Sequence, residues 1–344
     1  MPLTDVLPGS TLKPTHRPDV SILIAARNEE ATLPNCLRAI SQLQYPPGTV
    51  EVLIGNDSST DNTSAVAATF INDNPDFHLI DVTESRTGLV GKANVLAQLA
   101  WRARGRLFLF TDADTQVPAS WSGEMSQQFV GNVGIVTGIT LPQGPTLFHK
   151  LQTIDWLYNL TLAHVLSSLG IPVTAMGNNM AVSREAYEQV GGYERLPVSV
   201  VEDYALFKAL VGVGYEFKNL LSESVLAITK PVDTLRDFLH QRKRWMQGAT
   251  DLPAWIVAGL YGQYLAGPLL FGLFLLAPVA AVGLYVLKLF LQTLVISFGL
   301  SRLRQTNLWP YVLLFEIYQL IIGPVSVVFY LLPTRIEWKG RHYS

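Results

Sequence analysis

The chain has 344 residues, 25 Lys and Arg against 27 Asp and Glu, 49% hydrophobic residues and only 15% charged ones. Soluble domains carry about 25% charged residues, so this composition excludes a disordered chain and a purely soluble globule, and the absence of a basic surplus excludes an electrostatic nucleic-acid binder. A single cysteine, Cys36, excludes an intrachain disulfide framework and a cysteine-based zinc site. Residues 1–19 form an N-terminal extension, rich in proline, with no apolar run of signal-peptide type. Val20 to Ala26 is a continuous apolar run, the mark of a strand buried on both faces. A helix over about Glu29 to Leu43, with Cys36 in its core face, stops at Tyr45-Pro46-Pro47-Gly48. Strands then read over Val50 to Gly55, Phe77 to Val82, Arg106 to Thr111 and Val133 to Ile139, with helices over Thr60 to Phe70 and Lys92 to Arg104 between them. This alternation predicts an α/β fold with a parallel, doubly covered sheet, whose ligands bind beyond the carboxyl ends of the strands.

The residues at those ends are polar. Asn56 to Thr63 (NDSSTDNT) follows the second strand and suits either a ligand-facing carboxylate or an ordinary helix cap. Thr111-Asp112-Ala113-Asp114 follows the fourth; residues two apart in extended chain point the same way, so Asp112 and Asp114 can share one hard divalent cation. Glu202 and Asp203 open a helix, where they either complement its dipole for about 0.3–1 kcal/mol or supply a general base. Thr234 and Asp237 have capping-box spacing before TLRDFLHQRKRWMQG, which puts Gln241, Arg244 and Trp245 on one helix face. That face suits an anion and a flat sugar ring, and equally an amphipathic helix on a membrane surface.

Composition breaks near Pro253. Between Pro253 and Ser301 the one charge is Lys288, and Tyr264 to Leu287 and Trp309 to Leu332 are apolar runs of 24 residues each. Each is long enough for a helix that crosses a ~30 Å hydrocarbon core. The membrane region is therefore read as 253–334, with helical segments over about 264–287, 289–303 and 309–332 and a basic tail at 335–344. Arg335, Lys339 and Arg341 favour a cytoplasmic C-terminus. With a cytoplasmic N-terminal domain, two spans plus one interfacial or re-entrant segment fit better than three. Glu316 is costly in lipid and is expected to face protein, water or a polar ligand.

Taken in order, SILIAARNEE (21–30), NDSSTDNT (56–63), GKANVLAQ (91–98), TDADT (111–115), GNNMAVSREAYEQVGGYE (177–194), VEDYAL (201–206) and QRKRW (241–245) resemble the inverting family-2 glycosyltransferases of GT-A fold. The tail Trp338-Lys339-Gly340-Arg341 is similar to that of bacterial members that glycosylate lipids, and the layout resembles ceramide glucosyltransferases. The resemblance implies a GT-A catalytic domain over 20–252, Rossmann-like with flanking helices, and C-terminal transmembrane helices. It implies a multi-pass protein of a bacterial inner (plasma) membrane with its catalytic domain in the cytoplasm. Its donor would be a nucleotide sugar, a UDP-sugar first among them. Asp57 would contact uracil or ribose beside a wall from the Glu29 region, and Lys92 the diphosphate; Asp112 and Asp114 would hold the nucleotide and Mg²⁺ or Mn²⁺. Asp203 would be the base. Gln241 and Arg244 would close over the donor, and Trp245 and Glu202 would meet the acceptor. Asn56 departs from the family pattern, where a second acid is common, with little effect expected. The implied reaction moves one sugar, with inversion, to a hydroxyl of a membrane lipid. A processive polysaccharide synthase and a polyprenyl-phosphate sugar synthase are the alternatives; two or three spans are too few to enclose a polymer channel.

Overall fold

The computed structural model describes residues 18–333, apart from 46–48, 73, 86–87, 174, 198, 200 and 250–251, and the backbone of 336–338 and 341–343. The extension up to residue 17 and the side chains of the basic tail lie outside the described residues.

The chain follows the expected order, with its first two helices starting four and three residues later than expected. Strand β1 (Val20–Ala26), helix α1 (Leu33–Ser41), β2 (Val50–Asn56), α2 (Thr63–Asn72), β3 (Phe77–Asp81), α3 (Gly91–Arg102) and β4 (Leu107–Asp112) alternate. A short α4 (Trp121–Ser126) leads to β5 (Val133–Thr137) and β6 (Ile139–Pro142). The 22-residue α5 (Leu147–Ser168) follows, then β7 (Asn179–Ser183), α6 (Arg184–Gln189), α7 (Glu202–Gly212), β8 (Glu216–Asn219) and β9 (Leu226–Thr229). The main sheet has the order β3-β2-β1-β4-β7-β5-β8, and β6 pairs with β9 in a small second sheet. Strands β1 to β4 are mutually parallel, whereas β7 runs antiparallel to both β4 and β5. The sheet is therefore mostly parallel, as expected, and mixed only through β7. No local signal marks β7: Gly177-Asn178 reads as a turn, and its strand exists through pairing with residues far back in the chain, as in Phe108 with Val182, 74 positions apart.

Both sheet faces are covered, which is why the strands read as continuous apolar runs. Ile22 and Ile24 of β1 pack with Leu33, Cys36 and Leu37 on one side, and Leu23 packs with Val95, Leu99 and Phe110 on the other. The fully buried Asn179 ties these layers together. Its amide donates to the Ile139 and Val225 carbonyls (2.9 and 2.8 Å) and its oxygen accepts from the Trp121 indole at 2.8 Å.

Downstream come α8 (Leu235–Ala249), α9 (Ala254–Tyr264), α10 (Ala266–Leu276), α11 (Pro278–Arg302) and α12 (Val312–Leu331). Thr234 caps α8 as expected, its Oγ1 accepting from the Asp237 N–H at 3.1 Å. The single helix expected over 264–287 is not formed. Pro268 has no N–H to give the Tyr264 carbonyl, and the chain bends by 73° between α9 and α10. Pro278 disfavours helical backbone at the residue before it; Ala277 is extended (φ −146°, ψ 77°) and α11 starts afresh. The segment expected at 289–303 is therefore the second half of α11. Two helices, Pro278–Arg302 and Thr306–Leu331, the latter with its leading 3-10 turn, are long and apolar enough to cross a membrane; the bent α9–α10 pair is a broken span or a re-entrant loop.

The isolated charges of the two apolar helices α11 and α12 find each other. The Lys288 ammonium is paired with Glu316, and it also donates to Gln319 Oε1 at 3.2 Å, while the Gln292 amide donates to Glu316 at 2.9 Å. Pairing between α11 and α12 relieves the cost that either charge alone would carry in lipid. These helices are not a detached anchor. Ile296 and Leu300 of α11 and Phe315 of α12 share one core with Leu151, Ile154 and Leu157 of α5 and Phe238 of α8. At Gly299 a β-carbon would meet Thr161 Oγ1 at 2.4 Å, so α11 lies against α5 where a larger residue would not fit.

Candidate active site

The carboxyl ends of β1, β2 and β4, the starts of α3 and α7, and one face of α8 surround a cleft of about 1630 Å³. Asp57, Lys92, Asp112, Asp114, Glu202, Asp203, Gln241, Arg244 and Trp245 all line it. Glu29 does not: it is buried behind the rim, its backbone N–H bonded to Thr63 Oγ1 at 2.7 Å and its carboxylate accepting from the Thr32 hydroxyl at 2.5 Å.

The loop after β2 serves both purposes open to it. Asp61 caps α2 by accepting from the Thr63 N–H at 3.0 Å, and Asp57 is left facing the cleft. Arg27 holds that loop, donating to the Asp57 carbonyl at 2.7 Å with its guanidinium 4.0 Å from the carboxylate. Asn56 donates to Asp81 Oδ1 at 2.8 Å. An acid at position 56 would instead set two carboxylates against each other, so Asn56 is matched to Asp81.

Lys92 joins two walls of the cleft. Its ammonium lies 2.6 Å from Asp112 Oδ1 and 3.1 Å from Glu202 Oε1. Burial would lower its pKa, but Asp112, Glu202 and Asp203 outweigh that and hold it above the ordinary lysine range. Asp203 sits in the first turn of α7, where its two oxygens accept from the backbone N–H groups of Gly177 (2.7 Å) and Tyr204 (2.8 Å). Burial, with the Glu202 carboxylate beside it, pushes the Asp203 carboxyl upward against the pull of Lys92 and those two donors. A β-carbon on Gly177 would lie 2.7 Å from Asp203 Oδ2, which is why the glycine of the GNNM segment stands there.

Asp114 Oδ1 accepts from the Thr115 and Thr229 hydroxyls at 3.2 and 3.3 Å. Together with Asp112 it is the pair able to hold a divalent cation. Mg²⁺ commonly takes one or two carboxylates and completes its shell with substrate phosphate and water. The two acids fit that manner of binding, and among the described residues no cluster of three or more His, Cys, Asp or Glu offers a self-sufficient cage.

The QRKRW helix holds a second pattern that residue spacing misses. Arg242 is buried and paired with Asp155 of α5, its guanidinium stacked 4.8 Å from the Phe238 ring and 4.7 Å from that of Trp245. Trp245 in turn meets Trp156 edge-on at 4.9 Å. Lys243 donates to the Leu332 carbonyl at 2.6 Å, fastening α8 to the end of α12. The available signal was Asp155 itself, the lone acid in the stretch 151–168, which contains no Lys or Arg, so that once buried it needs a cation from elsewhere.

With this arrangement in view, comparison with known proteins is decisive: the model of "Glycosyl transferase family 21" matches residues 4–344. The chain belongs to glycosyl transferase family 21. The membrane-type GT-A glycosyltransferase implied by the motifs is borne out, under this family number. Relatives of this family 21 chain include the beta-monoglucosyldiacylglycerol synthase of Nostoc sp., 28% identical over 235 residues that make up 67% of this chain and 49% of that protein. The poly-beta-1,6-N-acetyl-D-glucosamine synthase of Staphylococcus epidermidis is 29% identical over 237 residues, 68% of this chain and 55% of that one. The chain thus spans about half the length of these curated relatives. In fold, the family 21 chain is similar to a mannosyltransferase of Pyrobaculum calidifontis solved in complex with GDP-Man and Mn²⁺. The TM-score is 0.56 at 18% identity, covering 93% of this chain and 89% of that one.

Proposed function

We propose that this protein transfers one sugar from a nucleotide sugar, a UDP-sugar by preference, to a hydroxyl of a membrane lipid, inverting the anomeric centre. The observation that carries the reading is the single cleft: acids from three separate elements and the polar face of α8 meet at the strand ends, against helices apolar enough to enter a bilayer. Asp203 takes the proton from the acceptor hydroxyl, and its raised pKa makes it a better base than an ordinary carboxylate. Asp57 and Arg27 bind the nucleoside end. Asp112 and Asp114 would hold Mg²⁺ or Mn²⁺, which supplies charge neutralisation at the departing diphosphate. Arg244 adds a fixed positive charge on the same side, and Lys92 keeps Asp112 and Glu202 at fixed separation. The glycolipid synthase among the relatives favours a lipid alcohol as acceptor.

The test is incubation of the full chain in vesicles with a panel of UDP- and GDP-sugars, divalent metal and total membrane lipid, followed by mass spectrometry. The expected products are lipids heavier by one sugar, with formation lost when the metal is chelated. Long glycan chains free of lipid would overturn the reading. A pH profile tests the base separately. A base works when deprotonated, so kcat/KM rises as pH passes upward through the Asp203 pKa. Glu202→Gln removes a repelling charge and should move that acid limb to lower pH; Lys92→Met removes an attracting one and should move it to higher pH. Shifts of the same sign in both variants would reject Asp203 as the titrating group.

A further inference from the structure

The cleft is larger than one small molecule requires, since such pockets usually occupy about 300–1,000 Å³, against about 1630 Å³ here. Its surplus wall is of another chemistry. Beyond the acids and the α8 face, the lining passes at the Trp245–Trp156 contact onto α5 and α9. Trp156, Leu160 and Ala163 stand on α5 at i, i+4 and i+7, which is one helix face, and Ile256 and Leu260 repeat the i, i+4 spacing on α9. The two helices are bridged across the cleft by the Gln263 amide, which donates to Asn159 Oδ1 at 3.2 Å. Trp255, in the first turn of α9, also lines the cleft and is 59% exposed. The 73° bend between α9 and α10 turns α9 out of line with its apolar neighbour, so that its face joins the cleft rather than extending a straight span.

We infer that the space between α5 and α9 is a lateral channel for the hydrocarbon chain of the acceptor lipid, entered from the bilayer past Trp255, which delivers the lipid's hydroxyl to Asp203. The inference rests on the lipid-acceptor reading above and deepens it by naming the chain-binding wall. Its occupant is an acyl or alkyl chain, because the wall is mostly apolar, with the Asn159 and Gln263 amides bonded to each other and the Tyr264 hydroxyl bonded to Arg242, and because it is continuous with the catalytic cleft. A growing glycan would call for a succession of hydrogen-bonding groups along its path.

Photolabelling tests it. The full chain in phosphatidylcholine nanodiscs is illuminated with diacylglycerol or hexadecanol bearing a diazirine at the chain end, and the labelled peptides are identified by mass spectrometry. The expected result is labelling within 156–166 and 255–263 several-fold above that of the outward residues Val279 and Val282 of α11, and suppressed by excess unlabelled hexadecanol. Leu160→Trp and Ala163→Trp, which fill the channel, should each reduce that labelling. Labelling confined to the outer faces of α10 to α12, or cleft labelling displaced by a glucan oligosaccharide and not by hexadecanol, overturns the channel. Nucleotide-sugar binding to the same nanodiscs is measured in parallel. Donor binding with labelling only outside the cleft defeats the channel alone; cleft labelling without donor binding defeats the proposed reaction and upholds the channel.

Discussion

Asp203→Asn is expected to lower sugar transfer by about 10²–10⁴-fold, the usual worth of a general base, while the fold survives. The substitution is nearly isosteric and leaves the helix start of α7 in place. An amide has one acceptor oxygen where the carboxylate has two, so one of the two N–H donors, Gly177 or Tyr204, loses its partner. That loss costs about 1–3 kcal/mol, and removing the charge next to Glu202 offsets part of it. The variant should therefore remain folded by circular dichroism and still bind nucleotide sugar. Near-normal turnover would reject the assigned base. Loss of fold together with activity would show instead that Asp203 acts through the Gly177 and Tyr204 bonds, and Gly177→Ala, whose β-carbon would press on Asp203 Oδ2, should then reproduce the defect.

The second large effect concerns stability. Asp155→Leu leaves the Arg242 guanidinium 4% exposed with its carboxylate partner gone. Breaking a buried pair from one side costs about 3–5 kcal/mol, while replacing both partners by apolar groups of similar volume is often neutral. The double variant Asp155→Leu with Arg242→Met should therefore recover most of the lost stability, because the Phe238 and Trp245 rings already give position 242 an apolar sleeve. Denaturant titration of the detergent-solubilised protein measures both. Equal losses in the single and double variants would mean that the pair itself, beyond its burial, is what holds α8 to α5. In either case the single variant should also impair transfer, since Gln241, Arg244 and Trp245 ride on the same helix.

Much of the molecule was readable from local pattern. The strands β1 to β4 are continuous apolar runs because both faces are covered, and polar residues follow them because ligands approach from that edge. Asp112 and Asp114, Glu202 and Asp203, and the QRKRW face could each be found from spacing, yet each spacing also had an ordinary structural meaning. Seven motifs in family order removed the ambiguity that none resolved alone. Glu29 shows the limit: it sits in the matched SILIAARNEE segment, and the chain turns it inward onto Thr32.

Sequence by itself determined what depends on neighbours within a few residues. These are the order of strands and helices in the first 112 residues, the Thr234 cap, the acids at strand ends and the presence of helices fit for a membrane. Tertiary structure alone decided what depends on residues far apart in the chain. It set the reversed direction of β7 and the pairing of Lys288 with Glu316 and of Arg242 with Asp155. It also opened the cleft between α5 and α9. A buried charge or a strand edge specifies that it must be satisfied, not by which partner; that choice is made only when the whole chain has packed.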